Sequence, residues 1–227
     1  MDSPLAIPAY LQQAYWWAYI HPNAVSLFER QWLVNLILWG NFSRLRDAAL
    51  DEVGTALPGR TLQIACVYGD FTPHLARRVM PGGKLDVVDV LPIQLANLRG
   101  KLPASSGVGL HHRDSIDLGF ADRTFDRAVL FFLLHEQPEA VRRQTLSEAL
   151  RVLKPGGRLV IVDYHQPARG HPLRYLFRPI LGRLEPYALD LWENEVTTWF
   201  PFGFAPAALA KQTYYGGLYQ KVVVTAP

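Results

Sequence analysis

Two hydrophobic periods alternate along the chain, and their order predicts its architecture. Short apolar runs bounded by turn residues predict strands at 61–66, 84–88, 109–112, 125–132 and 158–163. Between them, apolar positions three and four apart predict helices over 72–79, 91–101 and 139–153. Pro81-Gly82-Gly83 marks a turn, and Lys154-Pro155-Gly156-Gly157 is expected to stop the third helix. Two last strands, 209–215 and 218–225, flank Gly216-Gly217, a hairpin signal. Strand–helix alternation that ends on a hairpin predicts an α/β fold. It should be a Rossmann-like, doubly wound, seven-stranded sheet, mostly parallel, with helices on both faces and a final antiparallel hairpin.

The flanks of this core follow other patterns. Residues 9–54 read as helical, with Val25, Phe28, Trp32, Leu36 and Trp39 forming an apolar stripe. His21-Pro22-Asn23 predicts a break with Asn23 as N-cap, and Gly40-Asn41 a second break. The stripe reads as core packing. The aromatic run Tyr15, Trp16, Trp17, Tyr19 with His21 is dense enough to wall an apolar pocket. The chain therefore divides into a helical lid (1–57), an α/β core (58–165), a helical insertion (166–206) and a closing hairpin (207–227). In the insertion, Pro167, Pro172, Pro179 and Pro186 are expected to cut the chain into short helices. There Arg169, Arg174, Arg178 and Arg183 alternate with Tyr175, Leu176, Phe177, Ile180, Leu181 and Leu184. That mixture suits a cap with a charged exterior, or an amphipathic surface against an anionic membrane. Glu139, Arg142, Arg143, Glu148 and Arg151 read as the solvated face of their helix.

Composition narrows the function classes. With 227 residues, 49% hydrophobic and 19% charged, the sequence is that of a folded domain with additions. A net charge of +3 without a single-faced basic stripe argues against a nucleic-acid binder. The lone Cys66 excludes an internal disulfide and suits a reducing compartment. The N-terminus lacks a signal-peptide pattern, and the longest apolar run, Trp32 to Trp39, falls far short of the roughly 20 residues a spanning helix needs. A cytoplasmic protein, soluble or peripheral at a membrane face, is expected.

The chemistry concentrates at the carboxyl ends of the strands. In a doubly wound sheet the first strand–loop–helix holds a nucleotide-like ligand, and here it is Thr61 to Thr72. Enzymes that use S-adenosylmethionine carry a related loop, an acid followed by spaced glycines. On that pattern the acid is replaced by Gln63 and two glycines by Ala65 and Val67; Gly69 remains, followed by Asp70. Asp89 ends the second strand, where an acid accepts hydrogen bonds from ribose hydroxyls. Asp114-Ser115 follows the third, beside the expected adenine position. His135 and Glu136 emerge after the fourth, where substrate-facing residues sit, and Tyr68 lies within the altered loop.

Blocks across nearly the whole chain carry a narrower likeness: 21–41 (HPNAVSLFERQWLVNLILWGN), 66–72 (CVYGDFT), 131–138 (FFLLHEQP), 161–165 (IVDYH) and 216–221 (GGLYQK). In these the chain resembles the rhodoquinone biosynthesis proteins of the RquA type, a divergent branch of the class I S-adenosylmethionine-dependent methyltransferases. The resemblance implies that a ring methoxy group of ubiquinone is exchanged for an amino group, with S-adenosylmethionine as amino donor and manganese(II) as helper. For that chemistry His135, Glu136, Asp163, His165 and Asp114 are the candidate metal ligands or acid–base groups, and Tyr68 a group that orients the amine or quinone. The loop changes fit such a role. A neutral Gln63 in place of a carboxylate favours the free amine over the ammonium, and Ala65 and Val67 add Cβ atoms that shift the pose of the methionine moiety. Two rivals are an ordinary methyltransferase acting on a small apolar acceptor and a non-catalytic scaffold of a quinone pathway.

Overall fold

The computed structural model describes residues 5–16, 18, 25, 27–66, 68–104 and 106–227. Trp17, Tyr19 and His21 of the expected pocket wall, the Asn23 cap and Val67 of the loop lie outside the described residues. The expected seven-stranded sheet forms, in the order β3-β2-β1-β4-β5-β7-β6. Its strands are β1 (Arg60–Ile64), β2 (Lys84–Asp89), β3 (Gly109–His112), β4 (Phe125–Phe131), β5 (Leu153–Tyr164), β6 (Ala208–Tyr214) and β7 (Tyr219–Thr225). β1 to β5 pair in parallel, and β7 runs antiparallel to both β5 and β6. Strand order reverses between β1 and β4, so the carboxyl ends of those two strands open a crevice.

The helices are α1 (Ala9–Ala14), α2 (Gln31–Ile37), α3 (Phe42–Val53), α4 (Phe71–Ala76), α5 (Pro92–Lys101), α6 (Glu139–Arg151), α7 (Leu173–Leu184) and α8 (Asp190–Glu193). Central strands are buried on both faces, as parallel strands require. On one face Val87, Val129, Phe131 and Val160 pack with α3, α4 and α7; on the other Leu62, Ile64, Leu130 and Ile161 pack with α6. α3 thus belongs to the layer that covers the sheet, with Phe42, Leu45, Ala49 and Leu50 almost wholly enclosed, rather than to a lid.

Several expectations about local structure are corrected. β1 stops at Ile64 because Ala65 turns into the left-handed region, at φ +67°. The helix after it spans six residues rather than eight, since Val79 bridges to Leu57. Lys154-Pro155-Gly156-Gly157 does not separate helix from strand: β5 begins at Leu153 and absorbs the glycines at a register shift against β4. Pro179 does not cut the insertion, because α7 runs through it for 12 residues. The carbonyl that loses its helical partner belongs to Tyr175, which is well exposed, so water can serve it.

Candidate active site

Two cavities meet at the crevice. The first, which we call the cofactor cavity, is lined by the ends of β1 and β2 (Ala65, Cys66, Asp89, Leu91) together with Ser115, Glu136 and Gln137. α1 lays Tyr10 and Leu11 across it, leaving about 50 Å3, so α1 must yield before a nucleoside enters. The loop that makes its floor keeps a glycine-like path without the glycine. Ala65 sits at φ +67° and donates its N–H to the Val88 carbonyl at 2.8 Å. A non-glycine residue there costs on the order of 1 kcal/mol, which implies that surrounding contacts hold the turn.

Asp89 ties this loop to β2. One carboxylate oxygen accepts from the Cys66 N–H at 2.9 Å and its thiol at 3.2 Å; the other accepts from the Leu91 N–H at 2.8 Å. Burial pushes the Asp89 carboxyl up, and pushes the Cys66 thiol well up, so the lone cysteine is held as a donor rather than a nucleophile. Deeper in the wall, the Gln137 amide donates to Ser115 Oγ at 3.1 Å and Thr145 Oγ1 at 3.0 Å, while its Oε1 is buried without a hydrogen-bond partner. An acceptor left over in a polar wall, beside a strand-end carboxylate, fits a ligand with both an amine-bearing base and ribose hydroxyls.

The second, acceptor cavity is larger, about 510 Å3, and mostly apolar. Phe28, Leu38, Trp39, Phe42, Phe177 and Leu181 help form its walls, so α2, α3 and α7 all contribute. Its polar groups are few and buried. His135 Nδ1 lies 2.8 Å from Asp163 Oδ1, and the Asp163 carboxylate also accepts backbone N–H bonds from Leu134, His135 and Tyr164. His135 Nε2 lies 3.7 Å from Glu136 Oε1 and 4.0 Å from Glu185 Oε2. Burial opposes a charge on this imidazole, but Asp163 outweighs it, with smaller help from the two glutamates, and its pKa rises to about 9. Burial likewise pushes the Glu185 carboxyl up. The cluster therefore presents an acid, His135, beside a carboxyl group that holds its proton more readily than usual.

Phe132 lines both cavities. Its backbone lies at φ +56°, an outlier for a bulky residue. It is held there by its N–H bond to the Val162 carbonyl at 2.8 Å and by edge contacts with Phe131, His135, Tyr164 and Tyr219. On the next turn His135 faces the acceptor cavity while its neighbour Glu136 faces the cofactor cavity.

The other sequence candidates scatter. Gln63 is fully buried below both cavities and donates to the Ala65 carbonyl at 2.9 Å. Asp70 turns away and chelates Arg46 at 2.8 and 2.9 Å. Gly69 supports the loop at φ +87°, where an added Cβ would meet the Phe42 ring at 2.7 Å. Tyr68 lines the acceptor cavity, donates to the Ala18 carbonyl at 2.6 Å, accepts from Gln94 at 2.9 Å and stacks on Phe28. Asp114 caps its own turn through the Ile116 N–H at 3.1 Å, leaving Ser115 as the member of the pair in the cavity wall. His165 is bound to the Gly217 carbonyl and Lys211, outside both cavities.

Four contributors, Gln137, Glu185, Phe132 and Arg142, escaped sequence reasoning. Glu185 and Phe132 had no motif to mark them. Arg142 was expected on a solvated face, yet it is fully buried, stacks over Trp199 and donates to the carbonyls of Leu134, Gln137 and Tyr187. It thereby clamps the turn that carries His135 and Glu136. Its partners come from the insertion and from the turn itself, which a helical charge pattern does not reveal.

A methyltransferase-domain family matches residues 61–157. A demethylmenaquinone methyltransferase from Staphylococcus aureus is 30% identical over 171 residues, which cover 73% of this chain and 69% of that one. Among solved structures, the N-methyltransferase NodS from Bradyrhizobium japonicum WM9 in complex with S-adenosyl-L-homocysteine matches at a TM-score of 0.57 with 17% identity, over 82% of this chain and 85% of that one. The PH0226 protein of Pyrococcus horikoshii OT3 matches at 0.63 with 15% identity, over 98% of this chain and all, 100%, of that one. The structural likenesses agree with the sheet order, and the sequence likeness extends through the cofactor loop and the His135 turn. By sheet, cofactor crevice and sequence, the chain belongs to the class I S-adenosylmethionine-dependent methyltransferases.

Proposed function

We propose that this member converts ubiquinone to rhodoquinone, exchanging a ring methoxy group for an amino group taken from S-adenosylmethionine. The observation that carries the reading is the meeting, at Phe132, of a large apolar cavity with a cofactor cavity whose loop has lost its acid and two glycines. A quinone ring with an isoprenoid tail needs such an apolar space. S-adenosylmethionine would supply the nitrogen, held by Asp89, Ser115 and Gln137. With Gln63 neutral beneath the Ala65 turn, no carboxylate lies under the loop to stabilise an ammonium. Glu136 is placed to take a proton from that nitrogen. His135, protonated at neutral pH, is placed to give one to a quinone oxygen or to the departing methoxy group, which leaves as methanol. The two side chains lie 3.7 Å apart, just beyond direct hydrogen-bond reach, at the boundary of the two cavities. An elimination completes the exchange: the carbon next to the nitrogen's former carbon gives up a proton, a carbon–carbon double bond forms there, and the C–N electron pair stays with the nitrogen, which takes up a proton and remains on the ring as the amino group.

Manganese(II), which the family resemblance implies, does not fit the expected ligands as a set. Asp163 has both oxygens committed to backbone N–H groups and His135, at zero exposure, and His165 is elsewhere. Among the described residues no group of three or more His, Cys, Asp or Glu is placed to hold a metal ion, and no step is assigned to one. The lipophilic substrate also places the protein at the face of a membrane; no helix among the described residues is long and apolar enough to cross one.

Methyl transfer to a quinone ring is the second reading, favoured by the 30% identity to a demethylmenaquinone methyltransferase. The by-product separates the two, because methyl transfer releases S-adenosylhomocysteine and amine transfer does not. Restoring the loop with Gln63→Asp, Ala65→Gly and Val67→Gly is expected to depress amination; unchanged amination would remove the loop from the account. Titration with S-adenosylmethionine addresses the scaffold alternative, and saturable binding is expected.

A further inference from the structure

α2 and α7 expose apolar faces that no other described residue covers. On α2, Trp32 and Leu36 lie at i and i+4, and Trp39 follows in the turn just past the helix, at φ +53°; they are 60%, 64% and 42% exposed. On α7, Leu176, Ile180 and Leu184 form a second stripe, at 48%, 39% and 46%, beside the one that buries Phe177 and Leu181. A ring contact of 5.5 Å between Trp39 and Phe177 joins the turn after α2 to α7, so the apolar positions make one surface. Leu36, Trp39, Ile180 and Leu184 also line the acceptor cavity, so the mouth of that cavity opens on this surface. The exposed charges on α7 and just before it are basic, although Arg178 is paired with Glu193 at 3.3 Å. α2 carries none, and residues 166–184 hold Arg169, Arg174, Arg178 and Arg183 without an Asp or Glu. Arg183 is exposed and falls seven residues after Leu176, on the same stripe, while Arg169 is exposed just before the helix.

We infer that α2 and α7 form a docking face for an anionic lipid bilayer, and that the acceptor cavity opens directly into it. The apolar stripes reach below the headgroups and the arginines meet the lipid phosphates, the division seen in helices that lie in a membrane interface. A second copy of the chain would bring arginine against arginine across a two-fold axis, so charge complementarity favours lipid. That the substrate enters from the bilayer rests on the quinone reading above; the docking itself does not.

The test is flotation of the full chain with vesicles of phosphatidylcholine, with and without phosphatidylglycerol. Trp32 and Leu176 are suited to it, because they are exposed and outside the cavity wall. Binding to the anionic vesicles is expected. It should fall by about tenfold or more in the Trp32→Ser/Leu176→Ser double variant, and weaken in high salt and in Arg169→Glu/Arg183→Glu. Thermal melts of both variants should match the parent. Turnover of a short-tailed, water-soluble quinone should also match; its absence in every variant and the parent alike would strike the quinone reading and leave the docking intact. No binding by the parent, or equal binding by both variants, overturns the proposal. So does a concentration-dependent dimer in sedimentation that the Ser variants abolish, since the occupant would then be a second copy.

Discussion

The cofactor cavity and the acceptor cavity share Phe132 and little else. One is narrow and built from strand ends, with Asp89, Arg113, Ser115, Glu136 and Gln137 set among apolar neighbours; the other is ten times larger and walled by aromatic and aliphatic side chains of helices. Their charged groups differ in the same way. Asp89 is held by the backbone of its own strand ends, a local arrangement that any nucleoside-binding sheet can make. His135, Asp163 and Glu185 come from three separate elements, and Arg142 clamps the turn between them. The sheet thus supplies a kind of binding common to its fold, whereas the additions around it, α2, α7 and the turn after β4, wall the larger cavity.

That division can be broken most forcefully at His135. The His135→Ala variant is expected to lose about 10²- to 10⁴-fold in turnover while binding S-adenosylmethionine as before; a matched loss of cofactor affinity would mean that the cavities are not separate in function. From the other side, Asp89→Asn should weaken cofactor binding by about 10- to 100-fold with turnover at saturation much less affected. Isothermal titration beside steady-state kinetics reads both.

Stability against pH sharpens the same contrast. His135 is raised from its ordinary value to about 9, chiefly by Asp163 acting against burial. A group whose pKa is higher folded than unfolded stabilises the fold fully below its unfolded value, near 6.5, and that contribution fades as pH rises through about 9. The loss is on the order of 3 kcal/mol, measured by denaturant melts from pH 6 to 10, and Asp163→Asn should flatten it. The smallest effect is expected at the loop. Ala65→Gly removes a Cβ from a left-handed residue and should raise stability by about 0.5–1 kcal/mol; a loss would show that the methyl group packs usefully.

The sheet was legible because buried parallel strands leave apolar runs and because Gly216-Gly217 announces the closing hairpin. The strand-end residues Asp89, Ser115, His135 and Glu136 were legible for a related reason: strand ends fix where a side chain emerges. Position on a strand end does not fix direction, however, and so Asp70 and His165 found partners elsewhere. Glu185 and Arg142 were illegible because each is defined by a contact with the insertion, whose path over the sheet has no local signal. Pro179 misled for the opposite reason. It is a local signal that a solvent-facing carbonyl allowed the helix to ignore.

The central claim is that nitrogen, not carbon, leaves the donor. Incubation of the protein with ubiquinone and S-adenosylmethionine carrying a heavy nitrogen isotope in its amino group, followed by mass spectrometry of the quinone, tests it most directly. The account predicts a quinone that has gained the labelled nitrogen and lost a methoxy group. A quinone without the label, formed together with S-adenosylhomocysteine, would contradict it.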